Sequence, residues 1–522
     1  MKSTLGKLRK AAALAAMSAL ALATVPKDVS RAEGGNETTT PIEHLVVIFQ
    51  ENITFDHYFA TYPRAENPPG EPIFHARSGT PSVNGLSGAL LTHNPNSAQP
   101  FRLDRSQQLT CSQNGLYTPY QQAYHAGLLD KFVEFTGSTA DTIPPCEFGR
   151  GRNVVMGYYD GNTLAALWNY AQHFAMSDNS YETVFGPSTP GHINLISGQT
   201  HGVDVGDIPN VVVEGTVIAN GRPRGDPCGT APVFFMMTGR NVGDLLNDKG
   251  ITWGWFSGGF AARNPDGTVN CDARHMTVTG FNPRDYNPVT EPFQFYESTR
   301  NPDHMPPSSV EMIGHTDLAN HQYDLSDFWR AADSGNLPAV SFLKAAGYQQ
   351  GHPQISDPQD EQIFLVNTIN RLQHLPEWRS TAVIIAYDDP DGGYDHVMPP
   401  IVNQSNTIAD ALTGPGSCGT APEGAYQGRC GYGPRQPLLV ISRLAKVNFV
   451  DHQITDQTSI LRFIEDNWDL GRIGDQSFDD KAGSLTNLFN FTGGHRTERL
   501  LLDPLTGQPT EYDERDGQGE DE

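Results

Sequence analysis

The sequence predicts an α/β protein with a mostly parallel central sheet that is covered by helices on both faces. Short apolar runs, such as residues 44–49 and 381–386, are typical of strands buried on both faces. These runs alternate along the chain with amphipathic segments of helical spacing, which is the pattern of repeated strand-helix units. Polar residues directly follow several runs, at the strand ends where open α/β sheets bind their ligands.

Each element follows from two signals, which are apolar periodicity and the residues that stop a helix or strand. Residues 61–115 are rich in Pro, Asn, Ser and Gly and predict a long surface excursion. Gly250 and Gly335 predict the ends of two helices. The expected helices are 53–59, 117–135, 161–174, one that starts near 188, the first part of 242–255, 325–334, 361–375 and 457–467; the expected strands are 44–49, the last part of 242–255, 339–343, 381–386 and 437–442.

The 522-residue chain carries a formal net charge of −25, which disfavours nucleic acid and anionic membranes as electrostatically attracted partners. A phosphorylated small molecule stays compatible with this charge, because a local metal ion overrides the global field. Six cysteines in an exported protein favour disulfides, and no CxxC spacing indicates zinc. The expected pairs are Cys418 with Cys430, Cys228 with Cys271, and Cys111 with Cys146.

The first 23 residues have the composition of a signal peptide, with a basic start, an Ala/Leu-rich run and the small-x-small sequence Ala21-Leu22-Ala23. The apolar run is shorter than the roughly 20 residues that span a bilayer, so we expect no transmembrane anchor in the mature chain. We therefore expect an exported protein, either periplasmic or secreted. The expected organisation is a signal peptide at 1–23, a polar leader at 24–40, a single domain at 41–495 and an acidic, disordered tail at 496–522.

Side chains that bear oxygen stand at three distant places, each at a strand end or a helix start. Glu51 and Asn52 follow the first predicted strand, and Asp388 and Asp389 follow another. Two adjacent carboxylates repel each other unless a cation or a shared proton compensates. Ser188 begins a helix, where the positive end of the helix dipole favours an alkoxide or a bound phosphate. Together these side chains suit a hard divalent cation that activates the serine as a nucleophile.

Each of these features also has a plainer interpretation. The Glu-Asn and Asp-Asp pairs, read alone, are a helix cap and an acidic turn. Ser188 reads as the N-cap of its helix. His352 lies on a loop after a strand, where it either binds or protonates a phosphate ester or is a surface histidine.

Several stretches resemble one known family, the bacterial phosphoesterases that include exported phospholipases C and a respiratory-burst-inhibiting acid phosphatase. The resemblance extends over about residues 44–490 and is far more specific than a chance motif. It implies an alkaline-phosphatase-like α/β core, in agreement with the sheet predicted above. The stretches are HLVVIFQENITFDHYFATYP, FGPSTPGHINLISGQ, GDLLNDKGITWGWFSGGF, EPFQFYESTRNPDHMPP, IGHTDLANHQYDL, LPAVSFLKA and TAVIIAYDDPDGGYDH.

Carried over residue by residue, the resemblance implies one divalent metal ion of unspecified identity, a serine nucleophile that contacts it, and a phosphate-site histidine. The nucleophile falls on Ser188 and the histidine on His352. The implied reaction is hydrolysis of a small phosphate ester or a phospholipid headgroup through a phosphoserine intermediate. The implied metal ligands are Glu51, Asn52, Ser188, Asp388 and Asp389.

The chain departs from the family pattern at Gly115, Val289 and Thr290, where other members carry histidine. Loss of general-acid help costs roughly 10²–10⁴-fold in rate. His192 lies four residues after Ser188 on the same helix face, and we expect its imidazole to serve the site. The plainer interpretation of His192 is a solvent-facing helix histidine. The alternative function is a catalytically impaired protein that binds a phosphorylated ligand through the retained metal site.

Overall fold

The computed structural model describes residues 37–139, 146–230, 232–412, 417–493 and 497–510. Its strands are β1 His44–Gln50, β2 Phe101–Arg102, β3 Gly157–Tyr158, β4 Ala175–Tyr181, β5 Val212–Val213, β6 Thr216–Val217, β7 Arg222–Pro223, β8 Phe234–Phe235, β9 Trp253–Ser257, β10 Gln322–Asp324, β11 Val340–Lys344, β12 Thr381–Tyr387, β13 Arg435–Ile441, β14 Phe449–Asp451 and β15 Thr455–Asp456. Its α-helices are α1 Phe55–Phe59, α2 Ala89–Thr92, α3 Tyr117–Tyr124, α4 Phe132–Phe135, α5 Ala165–His173, α6 Ser188–Ser197, α7 Val242–Lys249, α8 Leu325–Asp333, α9 Pro358–Gln373 and α10 Thr458–Asn467.

Nine strands form one central sheet in the spatial order β10-β9-β11-β1-β12-β13-β4-β14, with β15 also paired with β4. Every neighbouring pair is parallel except the two made by β13, which is antiparallel to both β12 and β4. The predicted mostly parallel α/β sheet is therefore confirmed. Because the strands other than β13 run in one direction, their carboxyl ends meet at one edge of the sheet.

The middle of the sheet is apolar on both faces. Every residue of β11 and β12 is buried, and in β1 only the first residue is partly exposed. Val47 of β1 pairs with Phe342 on one side and with Ile384 on the other. Such β-rich apolar runs form central parallel strands because both of their faces can be covered.

Helices cover opposite faces of this sheet. Successive residues of a strand point to opposite faces. Phe49 of β1 contacts His192 of α6 with ring centroids 5.0 Å apart. Tyr387 of β12, which is in register with the residue after Phe49, donates its hydroxyl to Glu361 of α9 over 2.8 Å. The helices α6 and α9 therefore pack on opposite faces.

Two parts of the chain differ from their expected structure. The predicted helix 117–135 is broken, because His125 and Ala126 have φ of 43° and 53° and end α3 in the left-handed region. The predicted disordered tail, 496–522, is wrong for residues 497–510. There Leu500 and Leu502 are buried, and Gln373 of α9 donates to the carbonyl of Leu500 over 2.8 Å.

All three expected disulfides are present. Cys111 pairs with Cys146, Cys228 with Cys271, and Cys418 with Cys430, with Cα–Cα distances of 4.9, 5.2 and 5.7 Å. Each bond joins loop segments rather than strands of the central sheet. The disulfides therefore fix the loops around the sheet while the apolar core forms the sheet itself.

The chain divides into two units, Met1–Glu37 and Thr38–Glu522, and the elements given above all belong to the second. The predicted domain at 41–495 falls within that unit. The predicted signal peptide, most of the polar leader, and residues 511–522 of the tail lie outside the described residues. No helix of the described part of the chain has both the length and the apolar character needed to cross a membrane.

Candidate active site

The ends of two adjacent parallel strands bring four of the predicted side chains together. Glu51 and Asn52 follow β1, and Asp388 and Asp389 follow β12, which pairs with β1 along its whole length. All four residues are at least 95% buried. The strand register therefore turns two sequence positions more than 300 residues apart into one polar cluster at the sheet edge.

Helix α6 brings Ser188 to the same place. The serine is the first residue of the helix, and Pro187 is the N-cap, so the prediction of Ser188 as N-cap is wrong. The Ser188 hydroxyl donates instead to Oδ2 of Asp389 over 2.9 Å. Gly191 allows this approach, because a Cβ there would lie 2.2 Å from the carbonyl oxygen of Asp388.

Hydrogen bonds tie the cluster to Asp389. The side-chain amide of Asn52 donates to both carboxylate oxygens of Asp389 over 2.9 Å. The backbone N–H of Asn52 donates to Oδ1 of Asp388 over 3.4 Å. The structure thus brings together the whole predicted metal-ligand set, which we call the oxygen cluster: Glu51, Asn52, Ser188, Asp388 and Asp389.

Several oxygens of this cluster are buried without a hydrogen-bond partner among the described residues. They include the side-chain oxygen of Asn52, Oδ2 of Asp388 and Oε2 of Glu51. Buried polar atoms in native proteins almost always have a partner, and an unpaired buried carboxylate is especially unfavourable. Carboxylate and amide oxygens are the ligands that hard divalent cations prefer. The cluster therefore fits a divalent cation by its chemistry and by its unpaired oxygens.

The two aspartates have opposite electrostatic tendencies. Burial, together with the charge of Asp388, raises the pKa of Asp389 well above its usual value. Burial also acts to raise the pKa of Asp388, but the proximity of His192 and Lys344 holds it below its usual value. The surroundings thus favour the ionised form of Asp388 and the protonated form of Asp389. A cation between them removes the conflict, because it stabilises both anions.

Lys344 is a site residue that sequence reasoning missed. It is the last residue of β11, it is 1% exposed, and its Nζ lies 2.5 Å from Oε1 of Glu51. A lysine at the end of an apolar strand carries no local sign of such a role. Its neighbour becomes known only from the sheet order, which places β11 beside β1.

Glu182 is a second missed residue. It follows β4, is fully buried, and neither of its carboxylate oxygens has a hydrogen-bond partner among the described residues. Burial raises the pKa of Glu182 well above its usual value, and the charges of Asp389 and Asp388 add to the effect. The site therefore carries four clustered carboxylates, and Lys344 is the nearby cation that pairs with one of them.

His192 lies in the site, and its interpretation as a solvent-facing histidine is wrong. The ring is 1% exposed and packs edge-on against Phe49 and Trp255, with centroids 5.0 and 6.0 Å away. Its Nδ1 lies 2.9 Å from the carbonyl of Ser188 and 3.4 Å from Oδ2 of Asp388. One ligand atom each from Glu51, His192 and Asp388 lie within 4.8 Å of one another.

His352 lies at the rim of the site. Its Nε2 is 3.8 Å from Oε2 of Glu51, its Nδ1 is 2.6 Å from the carbonyl of Pro353, and its side chain is 14% exposed. Unlike His192, it reaches both the oxygen cluster and solvent. This position is suitable for an imidazole that meets an incoming ester.

The positions where the family resemblance leads us to expect histidine also border the site. The carbonyl of Val289 accepts from the hydroxyl of Thr189, which follows Ser188, over 3.2 Å. A Cβ at Gly115 would lie 3.3 Å from the Cα of Asp391. Asp391 in turn accepts from the backbone N–H of Gln113 and donates its own N–H to Asp389, each over 2.7 Å.

Two other polar residues of the loop after β12 serve the fold. Asp395 and Asp56 share the buried guanidinium of Arg435, each over 3.1 Å. The Nδ1–H group of His396 donates to Oδ2 of Asp56 over 2.6 Å. These groups form a paired network of their own beside the oxygen cluster.

Comparison with known proteins gives one family. The model of the Phosphoesterase family matches residues 42–471. The chain is 25% identical over 472 residues to the Non-hemolytic phospholipase C of Pseudomonas aeruginosa, covering 86% of this chain and 57% of that protein. It is 24% identical over 477 residues to Phospholipase C B of Mycobacterium tuberculosis, covering 89% of this chain and 80% of that protein.

Among solved structures, a protein in the alkaline phosphatase superfamily from Vibrio parahaemolyticus shares 11% sequence identity with the chain. The match has a TM-score of 0.28 and covers 72% of this chain and 74% of that one.

Proposed function

Because the chain belongs to the Phosphoesterase family, we propose that it is a metal-dependent hydrolase of phosphoric esters with Ser188 as its nucleophile. The observation that carries this proposal is the convergence of the oxygen cluster at one sheet edge, with the Ser188 hydroxyl bonded to Asp389. The named relatives are phospholipases C, which favours phospholipids as one substrate class. The family resemblance of the sequence adds phosphate monoesters as the other class that we propose.

A divalent cation held by the oxygen cluster would supply positive charge that favours the serine alkoxide and offsets the charge of the phosphoryl group. The donor set supports this, because three carboxylates, an amide oxygen and a hydroxyl match the preferences of hard cations. The unpaired oxygens of Glu51, Asn52 and Asp388 point to the same group.

The chain's own residues would divide the reaction between them. Ser188 Oγ forms a bond to phosphorus while the bond between phosphorus and the ester oxygen breaks, which leaves a phosphoserine. Asp389 accepts the serine hydrogen bond and so orients Oγ and stands ready to take its proton. His352, at the open rim, is placed to protonate the departing ester oxygen. Water then hydrolyses the phosphoserine and restores the hydroxyl.

His192 would act through Asp388 rather than on the substrate. Its Nδ1 faces both Asp388 and the carbonyl of Ser188, and aromatic rings keep the imidazole in one orientation. In metal sites, residues that hold the ligands are worth roughly 10–100-fold in affinity or activity. We therefore assign His192 a positioning role for Asp388 and the first turn of α6.

We further propose that the protein is exported to an oxidising compartment. Three disulfides support this, because such bonds persist outside the reducing cytosol. The net charge of −25 supports a substrate recognised at the site rather than by attraction to an anionic surface.

The test is a panel of p-nitrophenyl phosphate and p-nitrophenylphosphorylcholine with Mg²⁺, Mn²⁺, Ca²⁺ or Zn²⁺, before and after chelation. We expect hydrolysis that chelation abolishes and that Ser188→Ala lowers by roughly 10³-fold or more. The matched control is Ser326→Ala, an exposed serine in the first turn of α8. Activity that survives both Ser188→Ala and chelation would contradict the proposal.

A second candidate function is binding of a phosphorylated ligand without turnover. What favours it is that Gly115, Val289 and Thr290 border the site and provide no imidazole. The same panel separates the two functions when it is joined with a binding measurement. Metal-dependent binding of phosphate esters without hydrolysis by any metal would select the binding protein.

A further inference from the structure

A pocket of about 380 Å³ is lined by residues that lie between positions 222 and 355 of the chain. This volume lies in the range of about 300–1,000 Å³ that is typical of small-molecule sites. The Cys228–Cys271 disulfide lies in its wall and joins two of the three segments that form it. Its polar lining residues include Arg222, Arg274, Arg284, Asn287 and Gln350.

The charge of this pocket is opposite to that of the whole protein. The described residues that line it include three arginines and neither an aspartate nor a glutamate. Asp272 is the carboxylate nearest to two of them, at 2.7 Å from Arg284 and 3.9 Å from Arg274. Two guanidinium groups thus share the carboxylate of Asp272, in a chain of net charge −25.

Arg222 is the most informative of the three. Its guanidinium has no ion-pair or hydrogen-bond partner in the part of the chain that the structure describes. It is half-buried, and this burial lowers its pKa, although an arginine stays protonated at neutral pH. A half-buried cation without a counter-charge is stabilised by an anion, and a guanidinium binds carboxylate or phosphate through two parallel hydrogen bonds.

Three wall segments connect the pocket to the nucleophile and the oxygen cluster. Gly221, which precedes Arg222, donates its N–H to the hydroxyl of Thr189 over 3.2 Å. Val289, two residues after Asn287, accepts from the same hydroxyl over 3.2 Å. Thr189 directly follows Ser188 in the chain.

The third segment contacts the metal-ligand side. The carbonyl of Gln350 accepts the backbone N–H of Glu51 over 2.9 Å. Each of the three wall segments thus contains a group that is hydrogen-bonded to Thr189 or to Glu51. The walls of the pocket are therefore fixed to the residue that follows Ser188 and to the first residue of the oxygen cluster.

We propose that this pocket binds an anionic group on the organic part of the substrate, so that the enzyme prefers phosphate esters that carry a carboxylate or a second phosphate. Arg222 is the main contact, and Arg274 and Arg284 contribute positive charge around it. The proposal rests on the proposed function for the chemistry but concerns the group beyond the phosphorus. A cationic headgroup such as choline would be disfavoured there, because it would meet like charge.

Two matched pairs of substrates test this preference. O-phosphoserine and phosphoethanolamine differ by one carboxylate, and so do phosphatidylserine and phosphatidylethanolamine in detergent micelles. We expect kcat/KM to favour the carboxylate-bearing member of at least one pair by roughly 10- to 100-fold, because a charge-assisted hydrogen bond is at stake. If only the first pair shows the preference, the anion belongs to a soluble ester. If only the second pair shows it, the anion belongs to a lipid headgroup.

The variant Arg222→Gln should bring the preference ratio close to one. Arg240→Gln is the control, because it removes the same charge from an exposed arginine that pairs with Asp248 at the surface. This control should keep the wild-type ratio. Equal rates within both pairs, or a ratio that Arg222→Gln leaves unchanged, would overturn the proposal.

Calorimetric titration of the same ligands separates this proposal from the proposed function. Hydrolysis of both members of each pair at equal rates would refute the assignment of the pocket as an anion site and would support the proposed phosphoesterase function. A different outcome is that neither ligand is hydrolysed but O-phosphoserine binds more tightly than phosphoethanolamine, and that Arg222→Gln removes this difference. That outcome would refute the proposed phosphoesterase function and support the assignment of the pocket as an anion site. Equal binding of the two ligands by the wild type would refute the pocket assignment in that case also.

Discussion

The imidazole of His192 contacts the oxygen cluster from a fully buried position, and we propose that it acts without touching the substrate. It is held between Phe49 and Trp255 and faces Asp388 and the carbonyl of Ser188. We expect His192→Ala to weaken the binding of the activating cation and to lower kcat by roughly 10–100-fold each. Titration of the cation by calorimetry, together with steady-state kinetics, measures both effects.

His374 provides a matched control for this prediction. Like His192, it bonds through Nδ1 to the carbonyl four residues earlier, over 2.7 Å, but it is exposed at the end of α9. His374→Ala should therefore leave cation binding and turnover at their wild-type values. A His192→Ala variant with full cation affinity would show that the contact with Asp388 has no functional role.

Lys344 gives a prediction about metal removal. Its ammonium group pairs with the buried carboxylate of Glu51, and loss of one partner from a buried ion pair costs about 3–5 kcal/mol. We expect Lys344→Met to lose this much stability in the presence of a chelator. The loss should be much smaller with a saturating divalent cation, because the cation then compensates Glu51.

Denaturant unfolding with and without the metal measures this difference. Lys249→Met, which changes an exposed lysine paired with Asp469, controls for the loss of one positive charge. An equal chelator effect in wild type and Lys344→Met would contradict the assignment of Glu51 to the cation site.

At the residue scale, the oxygen cluster could be predicted from sequence, whereas its surroundings could not. Each predicted ligand stands directly after an apolar strand or at the start of a helix, and the family motifs contain these residues. Lys344 and Glu182 lie at strand ends too, but their roles depend on which strands are neighbours. That order is a property of the assembled sheet and has no local signal.

At the scale of the element, the contact between α6 and the residue after β12 sets the position of Ser188, the proposed nucleophile. A Cβ at Gly191 would lie 2.2 Å from the Asp388 carbonyl oxygen, so Gly191→Ala must push the helix away. We expect a loss of about 1–3 kcal/mol in unfolding free energy. A displacement of about 1 Å at the Ser188 hydroxyl would lower kcat by roughly 10²-fold.

Gly206→Ala is the control, because no atom lies within 4 Å of a Cβ at that position. Urea unfolding and steady-state kinetics measure the two effects separately. If Gly191→Ala folded with full stability and full activity, the close approach of α6 to Asp388 would not be needed for function.

The bounds of a strand could be predicted well from sequence where the strand is apolar, and poorly where it is polar. The strands β1, β11 and β12 lie within two residues of their predicted bounds, because buried parallel strands are nearly continuous apolar runs. The strand β4 has the sequence AMSDNSY and gives no such signal, although it has paired strands on both sides. Its polar residues are buried because Arg435 and neighbouring loops provide partners for them, including a bond from Arg435 to the Asp178 carbonyl over 2.9 Å.

At the scale of the whole molecule, buried histidines make stability depend on pH. Burial lowers the pKa of His321 to about 4, and the bond to the Trp253 carbonyl opposes this shift only in part. Below pH 6.5 the His321 ring becomes protonated in the unfolded chain, whereas in the folded protein it stays neutral until about pH 4. The stability that His321 contributes is therefore complete above pH 6.5 and is lost as the pH falls towards 4.

His321→Asn isolates this effect, because asparagine does not titrate and tolerates the local φ of 66°. The difference in unfolding free energy between wild type and variant should change by on the order of 3 kcal/mol between pH 7 and pH 4. His374→Asn, at an exposed position, should show no such change. Denaturant unfolding at several pH values measures it, and a pH-independent difference for His321→Asn would refute the prediction.

The distances along the chain between the site residues have a consequence for the newly made protein. The bond between Asn52 and Asp389 closes a loop of 337 residues, and the bond between Ser188 and Asp389 closes one of 201. No fragment that ends before β12 contains the whole site, and contacts of such sequence separation form late because loop closure is entropically costly. Synthesis must therefore proceed to residue 389, about three quarters of the chain, before the proposed site can form. Turnover in this protein would thus report that β1, α6 and β12 have come together, and a chain that ends before β12 should be inactive.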